Sequence, residues 1–237
     1  MINQIDWGAI DLVVFDVDGT LYRQRPLRLR MAAELLRDAA RRRTLSTIIA
    51  LKLYRNTHEA FCESDDGMFE ERVRDHVATT LRISPAHLSS IITEWIEHRP
   101  LRHVARYRYA GIETLFRGLK RHGKQIGVLS DYPASAKLAA LGLCADHVRC
   151  AQDVDVGLPK PHPRGMRRLI ELANVTPERA LIIGDRPERD GRAARSAGAK
   201  VLIRSPRLAT TWQTFRDYND TIFSAVSGPA NPSLSGS

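Results

Sequence analysis

Residues 11–21 have the sequence DLVVFDVDGTL, and this stretch decides the fold of the chain. Residues 11–15 form a short apolar run rich in β-branched side chains, which is typical of a strand buried on both faces of a sheet. The run stops at the polar segment Asp16-Val17-Asp18-Gly19-Thr20. A buried strand that ends in carboxylates and a glycine turn predicts a ligand site at the carboxyl edge of a parallel sheet.

The second half of the chain repeats this pattern. Further strands are predicted over residues 125–129, 180–183 and 200–203, with a weaker one over 147–150. Helical periodicity lies between them over residues 111–122, 133–141, 163–173 and 188–197. Strands that alternate with helices of this length predict an α/β fold with a Rossmann-like parallel sheet and right-handed crossovers.

The alternation is interrupted after the first strand. Leu27, Met31 and Leu35 share one helix face, and helices also fit residues 46–59, 66–81 and 86–97. We therefore predict an α/β core of residues 1–21 and 107–226, a helical cap of residues 22–106 and a disordered tail. The tail, residues 227–237, is rich in Gly, Pro and Ser.

Composition narrows the class of protein. No apolar run reaches the roughly 18 residues that span a bilayer, and the start lacks a signal-peptide pattern, so no transmembrane segment is expected. The three cysteines are scattered, which indicates free thiols and a cytoplasmic location. The net charge of +9 attracts anions, but no nucleic-acid motif is visible, and no nucleic-acid partner is expected. The oligomeric state is left open.

Strand ends carry the candidate chemistry. Asp16, Asp18, Ser130 and Asp185 each follow or end a predicted strand, so we expect them to converge at one edge. Several carboxylates in one crevice require a cation, and oxygen-only ligands favour Mg²⁺. Lys160, between two prolines, is a suitable fixed cation for a phosphoryl group. Gly19 and Thr20 offer backbone N–H groups to phosphate oxygens.

These motifs together resemble the haloacid dehalogenase superfamily of hydrolases. The chain has, in the order of that family, the segment Asp16 to Leu21 after a hydrophobic strand, Ser130 at a strand end, Lys160 within LPKPHP, and Gly184-Asp185 followed by Asp190. One such motif alone is a weak signal, whereas four in order on the expected elements are specific.

The resemblance implies a role for each matching residue. Asp16 is expected to be the nucleophile and a magnesium ligand. Asp18 is expected to be the general acid and base and to offer its backbone carbonyl to the metal. Ser130 and Lys160 are expected to hold the transferring phosphoryl group, Asp185 to bind magnesium, and Asp190 to support it. The dehalogenase branch does not use an acid at the position of Asp18, so its presence favours phosphoryl transfer.

Two features go beyond the family pattern. The family often has Asn or Gly after the serine of the second motif, whereas this chain has Asp131, which we place beside the phosphate site with Arg186 as its candidate partner. An arginine-rich stretch, Arg23, Arg25, Arg28 and Arg30, leads from the first motif toward the cap. These arginines are expected to form a solvated helix face, with contact to a second anionic group of the substrate as the sharper hypothesis.

The predicted function is a magnesium-dependent phosphatase that acts on a small phosphorylated metabolite through an aspartyl-phosphate intermediate. A sugar phosphomutase with the same chemistry is an alternative that the motifs do not separate. A non-catalytic basic protein that binds anions is an alternative from another class, and the intact acidic set argues against it.

Overall fold

The structure is a computed structural model that describes residues 5–61, 69–206 and 211–228. Its centre is a parallel sheet of six strands in the order β3-β2-β1-β4-β5-β6. The strands are β1 (Leu12–Phe15), β2 (Gln125–Ser130), β3 (His147–Cys150), β4 (Ala180–Gly184), β5 (Lys200–Arg204) and β6 (Thr214–Phe215). All strand pairs are parallel, so the predicted α/β fold with its parallel sheet is confirmed.

Alternate residues of the central strands enter different cores. Val13 and Phe15 belong to one apolar cluster, whereas Leu12 and Val14 belong to another. This alternation is the period-2 geometry of a strand, and it explains why the run is apolar throughout. All four residues of β1 are fully buried. The first strand is therefore the central support of the motif that follows it.

Helices cover both faces of the sheet. The helices after the insertion are α6 (Ile112–Arg121), α7 (Ser135–Leu141), α8 (Arg164–Ala173), α9 (Arg192–Ser196) and α10 (Ser224–Ser227). Residues of α6 and α7 pack in the cluster with Phe15, and residues of α8 and α9 pack in the cluster with Val14. Burial of both sheet faces is what a parallel sheet requires.

A helical insertion follows β1. It contains α1 (Gln24–Arg42), α2 (Ser46–Phe61), α3 (Phe69–Leu81), α4 (Pro85–Ile92), a π-helix at Thr93–His98 and α5 (Leu101–Val104). Tyr54, Phe69, Val73 and Leu88 are among the buried residues of its own apolar cluster, which also takes in Leu158 from the loop before Lys160. The insertion matches the expected helical segment, while its status as a separate domain stays a prediction.

The remaining differences are local. The helix predicted over 86–97 is divided into α4 and a π-helix, and the one over 188–197 is divided into a π-helix, Pro187–Gly191, and α9. Strand β6 has only two residues, too few for a periodic signal. Of the predicted tail, residues 229–237 lie outside the described residues. Within the described ranges, no helix is long and apolar enough to cross a membrane.

Candidate active site

The carboxyl ends of β1, β2 and β4 meet, as predicted, and bring distant polar residues together. Asp16 directly follows β1, Ser130 ends β2 and Asp185 directly follows β4. The register places β1 between β2 and β4, and the Asp16 N–H donates to the Ile183 carbonyl at 2.9 Å. The sheet thus extends one residue beyond β1 and fixes the backbone at Asp16.

Lys160 connects the carboxylates of this edge. Its Nζ atom lies 2.5 Å from Asp16 Oδ1, 2.7 Å from Asp190 Oδ1 and 3.2 Å from the Leu129 carbonyl oxygen. The lysine side chain is only 3% exposed. Burial disfavours its charge, but the charges of Asp16 and Asp190 outweigh this effect and raise the pKa of Lys160. The lysine is therefore a fixed ammonium at the nucleophile position.

Asp190 is a buried member of the site. Its Oδ2 atom accepts the backbone N–H groups of Asp185 and Arg186 at 3.2 and 3.0 Å, while its Oδ1 atom accepts Lys160 Nζ. Gly184 permits this approach, since a Cβ atom there would lie 2.4 Å from Asp190 Cγ. Asp190 thus fixes both the lysine and the loop that carries Asp185.

Three carboxylates form a group that fits a divalent cation. Oxygen atoms of Asp16, Asp185 and Asp190 all lie within 4.8 Å of one another. Asp185 Oδ1 is buried and has no hydrogen-bond partner among the described residues. Burial and the Asp190 charge raise the pKa of Asp185 to about 6, and burial raises that of Asp16 as well, against the opposing charge of Lys160. Oxygen-only donors suit Mg²⁺, which would relieve this repulsion.

Asp18 occupies a different environment from Asp16. Both of its carboxylate oxygens accept Lys137 Nζ, at 2.8 and 3.0 Å, and Oδ1 also accepts the hydroxyl of Tyr22. Burial raises the pKa of Asp18, but the contacts with Lys137 and Tyr22 and the charge of Arg28 outweigh it and lower the pKa. Asp18 is outside the three-carboxylate group, and the expected metal contact of its backbone carbonyl stays a prediction.

The two residues after Asp18 support the carboxylates. Gly19 has φ +102°, and a Cβ atom there would lie 2.1 Å from Asp185 Oδ2. Thr20 Oγ1 donates to Asp16 Oδ2 at 2.9 Å, and the Thr20 carbonyl accepts the Tyr218 hydroxyl at 2.8 Å. Their expected backbone contacts to phosphate stay predictions. The Thr20 hydrogen bond holds Asp16, and the missing side chain of Gly19 leaves room for Asp185.

Asp131 is held by the loop that carries Lys160 and by Arg189, and the candidate partner Arg186 was wrong. Its Oδ1 atom accepts the Lys160 N–H at 2.9 Å, and its Oδ2 atom lies 3.6 Å from Arg189. Arg189 also donates Nε and an Nη group to the Lys160 carbonyl, at 3.0 and 2.9 Å. Arg186 instead pairs with Glu188. The π-helix that begins at Pro187 buries Arg189, and so Arg189 reaches the Lys160 loop.

A cavity of about 400 Å³ lies between these residues and the helical insertion. Its lining includes Asp16, Asp18, Ser130, Asp131, Lys160 and Asp190 on the side of the sheet. Arg23 and Arg25 are exposed and do not contribute to the lining, whereas Arg28 of the same helix does. Of the arginine-rich stretch, Arg28 is therefore the member at the cavity, and the substrate contact of Arg23 or Arg25 stays a prediction.

Sequence reasoning missed Lys137, Tyr22 and Arg189. Lys137 is seven residues past Ser130 on the helix that follows β2, a spacing that has no motif of its own. Tyr22 directly follows the first motif, four residues after Asp18, and its hydroxyl reaches back to that residue. The burial of Lys137 depends on how its short helix packs against the sheet, so it could not be predicted from the local sequence.

Comparisons with known proteins found a family model and relatives that match most of the chain. A family model described as haloacid dehalogenase-like hydrolase matches residues 10–198. The chain is 24% identical over 201 residues to the pyrophosphatase PpaX of Bacillus cereus, a match that covers 81% of this chain and 82% of that protein.

Two solved structures have a similar fold. The putative HAD-hydrolase YfnB of Bacillus subtilis has a TM-score of 0.63 at 16% identity, over 89% of this chain and 96% of that chain. A 2-haloacid dehalogenase of Pseudomonas syringae pv. Tomato has a TM-score of 0.62 at 19% identity, over 88% of this chain and 95% of that chain. At these identities, the likeness concerns the fold alone.

Proposed function

This chain belongs to the haloacid dehalogenase-like hydrolases, and from that premise we propose that it is a magnesium-dependent phosphatase acting on a small phosphorylated metabolite. The observation that carries the proposal is the contact of Asp16 with Lys160, beside Asp185 and Asp190 and open to the cavity. Phosphoryl transfer depends mainly on positioning and positive charge, and this group of residues supplies both.

In the first step, a carboxylate oxygen of Asp16 attacks the phosphorus atom. The bond between phosphorus and the leaving oxygen breaks, and Asp18 gives a proton to that oxygen. Because its contacts with Lys137 and Tyr22 favour the ionised form, Asp18 takes up this proton from solvent before the step. Lys160 and the Ser130 hydroxyl hold the phosphoryl oxygens. Thr20 fixes the nucleophile through its hydrogen bond to Asp16 Oδ2, which keeps the other carboxylate oxygen in a constant orientation.

In the second step, water attacks the phosphorus of the aspartyl phosphate. Asp18, now ionised, takes a proton from this water, and the bond between phosphorus and Asp16 breaks. Inorganic phosphate leaves and both aspartates return to their starting forms. Lys137 and Tyr22 orient the Asp18 carboxylate for these transfers through their hydrogen bonds.

The acidic group supports the choice of cofactor. Asp16 and Asp185, with Asp190 beside them, would hold the ion, since their oxygens are close and one of them lacks a partner within the described residues. When bound, Mg²⁺ supplies positive charge to the phosphoryl oxygens and to the crowded carboxylates. The cytoplasm is the proposed location, because Cys144 and Cys150 are free thiols.

Two relatives' chemistries bear on the proposal. The relative PpaX is named a pyrophosphatase, which favours a phosphorus-containing substrate here. A 2-haloacid dehalogenase shares the fold. The acid at position 18, held by Lys137 and Tyr22, is unnecessary for dehalogenation and favours phosphoryl transfer, in which the leaving oxygen gains a proton.

The test is hydrolysis of p-nitrophenyl phosphate with Mg²⁺. We expect activity that EDTA removes and that Asp16→Asn abolishes. Asp217→Asn, which makes the same change of charge at an exposed position, should keep the activity. Release of inorganic phosphate from sugar phosphates, as opposed to an isomerised product, separates the phosphatase from the mutase. Activity that persists in Asp16→Asn would rule out the proposed nucleophile.

A further inference from the structure

The cavity has two chemically different walls. Its volume of about 400 Å³ is within the usual range for small-molecule sites. The sheet side carries the catalytic carboxylates and Lys160. The helical side has an apolar part that includes Leu27, Met31, Leu35, Ile48, Leu51 and Trp95, and it also carries the charged residues Arg28, Lys52, Arg55 and Glu59. A phosphoryl group bound at Asp16 therefore leaves room for a leaving group of appreciable size.

Lys137 is a second buried ammonium at this cavity, separate from Lys160. Its side chain is 7% exposed, and it contacts both oxygens of Asp18. An ammonium has three N–H donors, and two contacts to Asp18 leave one for a ligand. Lys160 already serves the phosphoryl side through Asp16 and Asp190. Lys137 is thus positioned on the side where Asp18 meets the leaving oxygen.

Arg28 adds a further positive charge on the same side. It lies on α1 and lines the cavity together with Asp18 and Lys137. Its charge favours the ionised form of Asp18, which places the two groups near each other. Among the described residues Arg28 has no recorded ion pair or hydrogen bond, whereas Arg30, on the same helix, pairs with Glu34. Two cations, Lys137 and Arg28, therefore act on the single carboxylate of Asp18.

Resting on the proposed function, we propose that Lys137 and Arg28 form a subsite for a second negative charge on the leaving group of the substrate. The substrate class is then a phosphate ester or anhydride whose leaving group carries a carboxylate or another phosphoryl group close to the bridging oxygen. A neutral leaving group would gain no attraction from the Arg28 charge. The guanidinium geometry suits either planar carboxylate or phosphate oxygens.

The experiment compares two small substrates, phosphoglycolate and ethyl phosphate, which share a two-carbon leaving group and differ in the carboxylate. Inorganic pyrophosphate tests the phosphoryl form of the same charge. We expect wild-type kcat/KM to be higher for a charged substrate, phosphoglycolate or pyrophosphate, than for ethyl phosphate. Arg28→Gln should reduce this preference about tenfold, mainly through KM, which corresponds to the loss of one modest charge contact.

Matched variants separate binding from structure. Arg37→Gln removes an exposed arginine from the same helix, away from the cavity lining, and should keep the wild-type preference. Lys137→Met should lose the preference and Lys137→Arg should retain part of it. If burial of Lys137 makes its variants unstable, Arg28→Gln decides alone, because that side chain is exposed.

The outcomes distinguish this inference from the proposed function. Equal losses for charged and uncharged substrates in Arg28→Gln, or no wild-type preference, would overturn the subsite while leaving the phosphatase proposal intact. Failure of the wild type to hydrolyse any of these esters and p-nitrophenyl phosphate would overturn both. A preference that falls in Arg28→Gln but not in Arg37→Gln supports the subsite.

Discussion

The Nζ atom of Lys160 lies 2.5 Å from Oδ1 of Asp16, although 144 residues separate the two in the sequence. The same ammonium lies 2.7 Å from Asp190 Oδ1. One buried cation thus links the loop after β1, the loop after β3 and the π-helix after β4. Lys160 thus joins the motifs that contain Asp16, Lys160 and Asp190 into one site.

Replacement of Lys160 should affect activity and folding together. Lys160→Met leaves buried carboxylates without their cation, so the free energy of unfolding should fall by about 3–5 kcal/mol without metal. Loss of a charged group at the phosphoryl position should lower kcat by about 100- to 1000-fold. Urea denaturation and steady-state kinetics measure the two effects. Lys200→Met, at an exposed lysine, is the control, and similar losses there would contradict this reading.

Gly19→Ala should disrupt the metal site through a direct clash. The added Cβ would lie 2.1 Å from Asp185 Oδ2, and φ is +102°. Gly123→Ala is a matched control, since Gly123 also has positive φ, +68°, but nothing lies within 4 Å of its Cβ position. Both variants should lose about 1 kcal/mol or more from backbone strain. Only Gly19→Ala should require more Mg²⁺ for half-maximal activity.

Equal magnesium requirements in the two glycine variants would show that Gly19 is needed for backbone conformation alone. A calorimetric titration of Mg²⁺ into each protein gives the same comparison without substrate.

Magnesium should stabilise the protein through Asp185. At a concentration 100 times the dissociation constant, binding to the folded state adds about 2.7 kcal/mol to the free energy of unfolding. Asp185→Asn should lose this gain, measured as the shift in Tm with Mg²⁺. Without metal the variant should be at least as stable as the wild type, because it removes one charge that Asp190 repels. A full magnesium shift in Asp185→Asn would exclude Asp185 as a ligand.

Arg189 should position the Lys160 loop without touching the substrate phosphoryl group. Its two donors to the Lys160 carbonyl and its contact with Asp131 join the π-helix to that loop. Arg189→Lys cannot reproduce the forked geometry, so kcat should fall about tenfold, as for loss of about 1.4 kcal/mol of transition-state positioning. Arg192→Lys, an exposed neighbour, should show no such fall.

Much of this arrangement follows from the sequence for a physical reason. The strands of a parallel sheet are buried on both faces, and so Leu12–Phe15 and Ala180–Gly184 appear as unbroken apolar runs that end at polar residues. Because parallel strands share one carboxyl edge, the meeting of Asp16, Ser130 and Asp185 could be predicted from those ends alone.

The contacts that were missed depend on tertiary packing. Lys137 reaches Asp18 from a helix that docks beside β2, and Arg189 reaches Lys160 because a π-helix turns it inward. Neither contact could be predicted from the periodicity of the local sequence. Arg28, and not Arg23 or Arg25, lines the cavity because the orientation of α1 is set by its packing against other helices. Helix periodicity predicts which residues share one face of a helix, but it does not predict which element that face packs against.

The central claim is that Asp16 accepts the phosphoryl group, and acid-quenched mass spectrometry of the enzyme during turnover of p-nitrophenyl phosphate with Mg²⁺ tests it most directly. The account predicts a phosphoryl group on the peptide that contains Asp16, absent in Asp16→Asn and in the presence of EDTA. A phosphoryl group on another residue, or rapid phosphate release with no labelled peptide under the same quench, would contradict it.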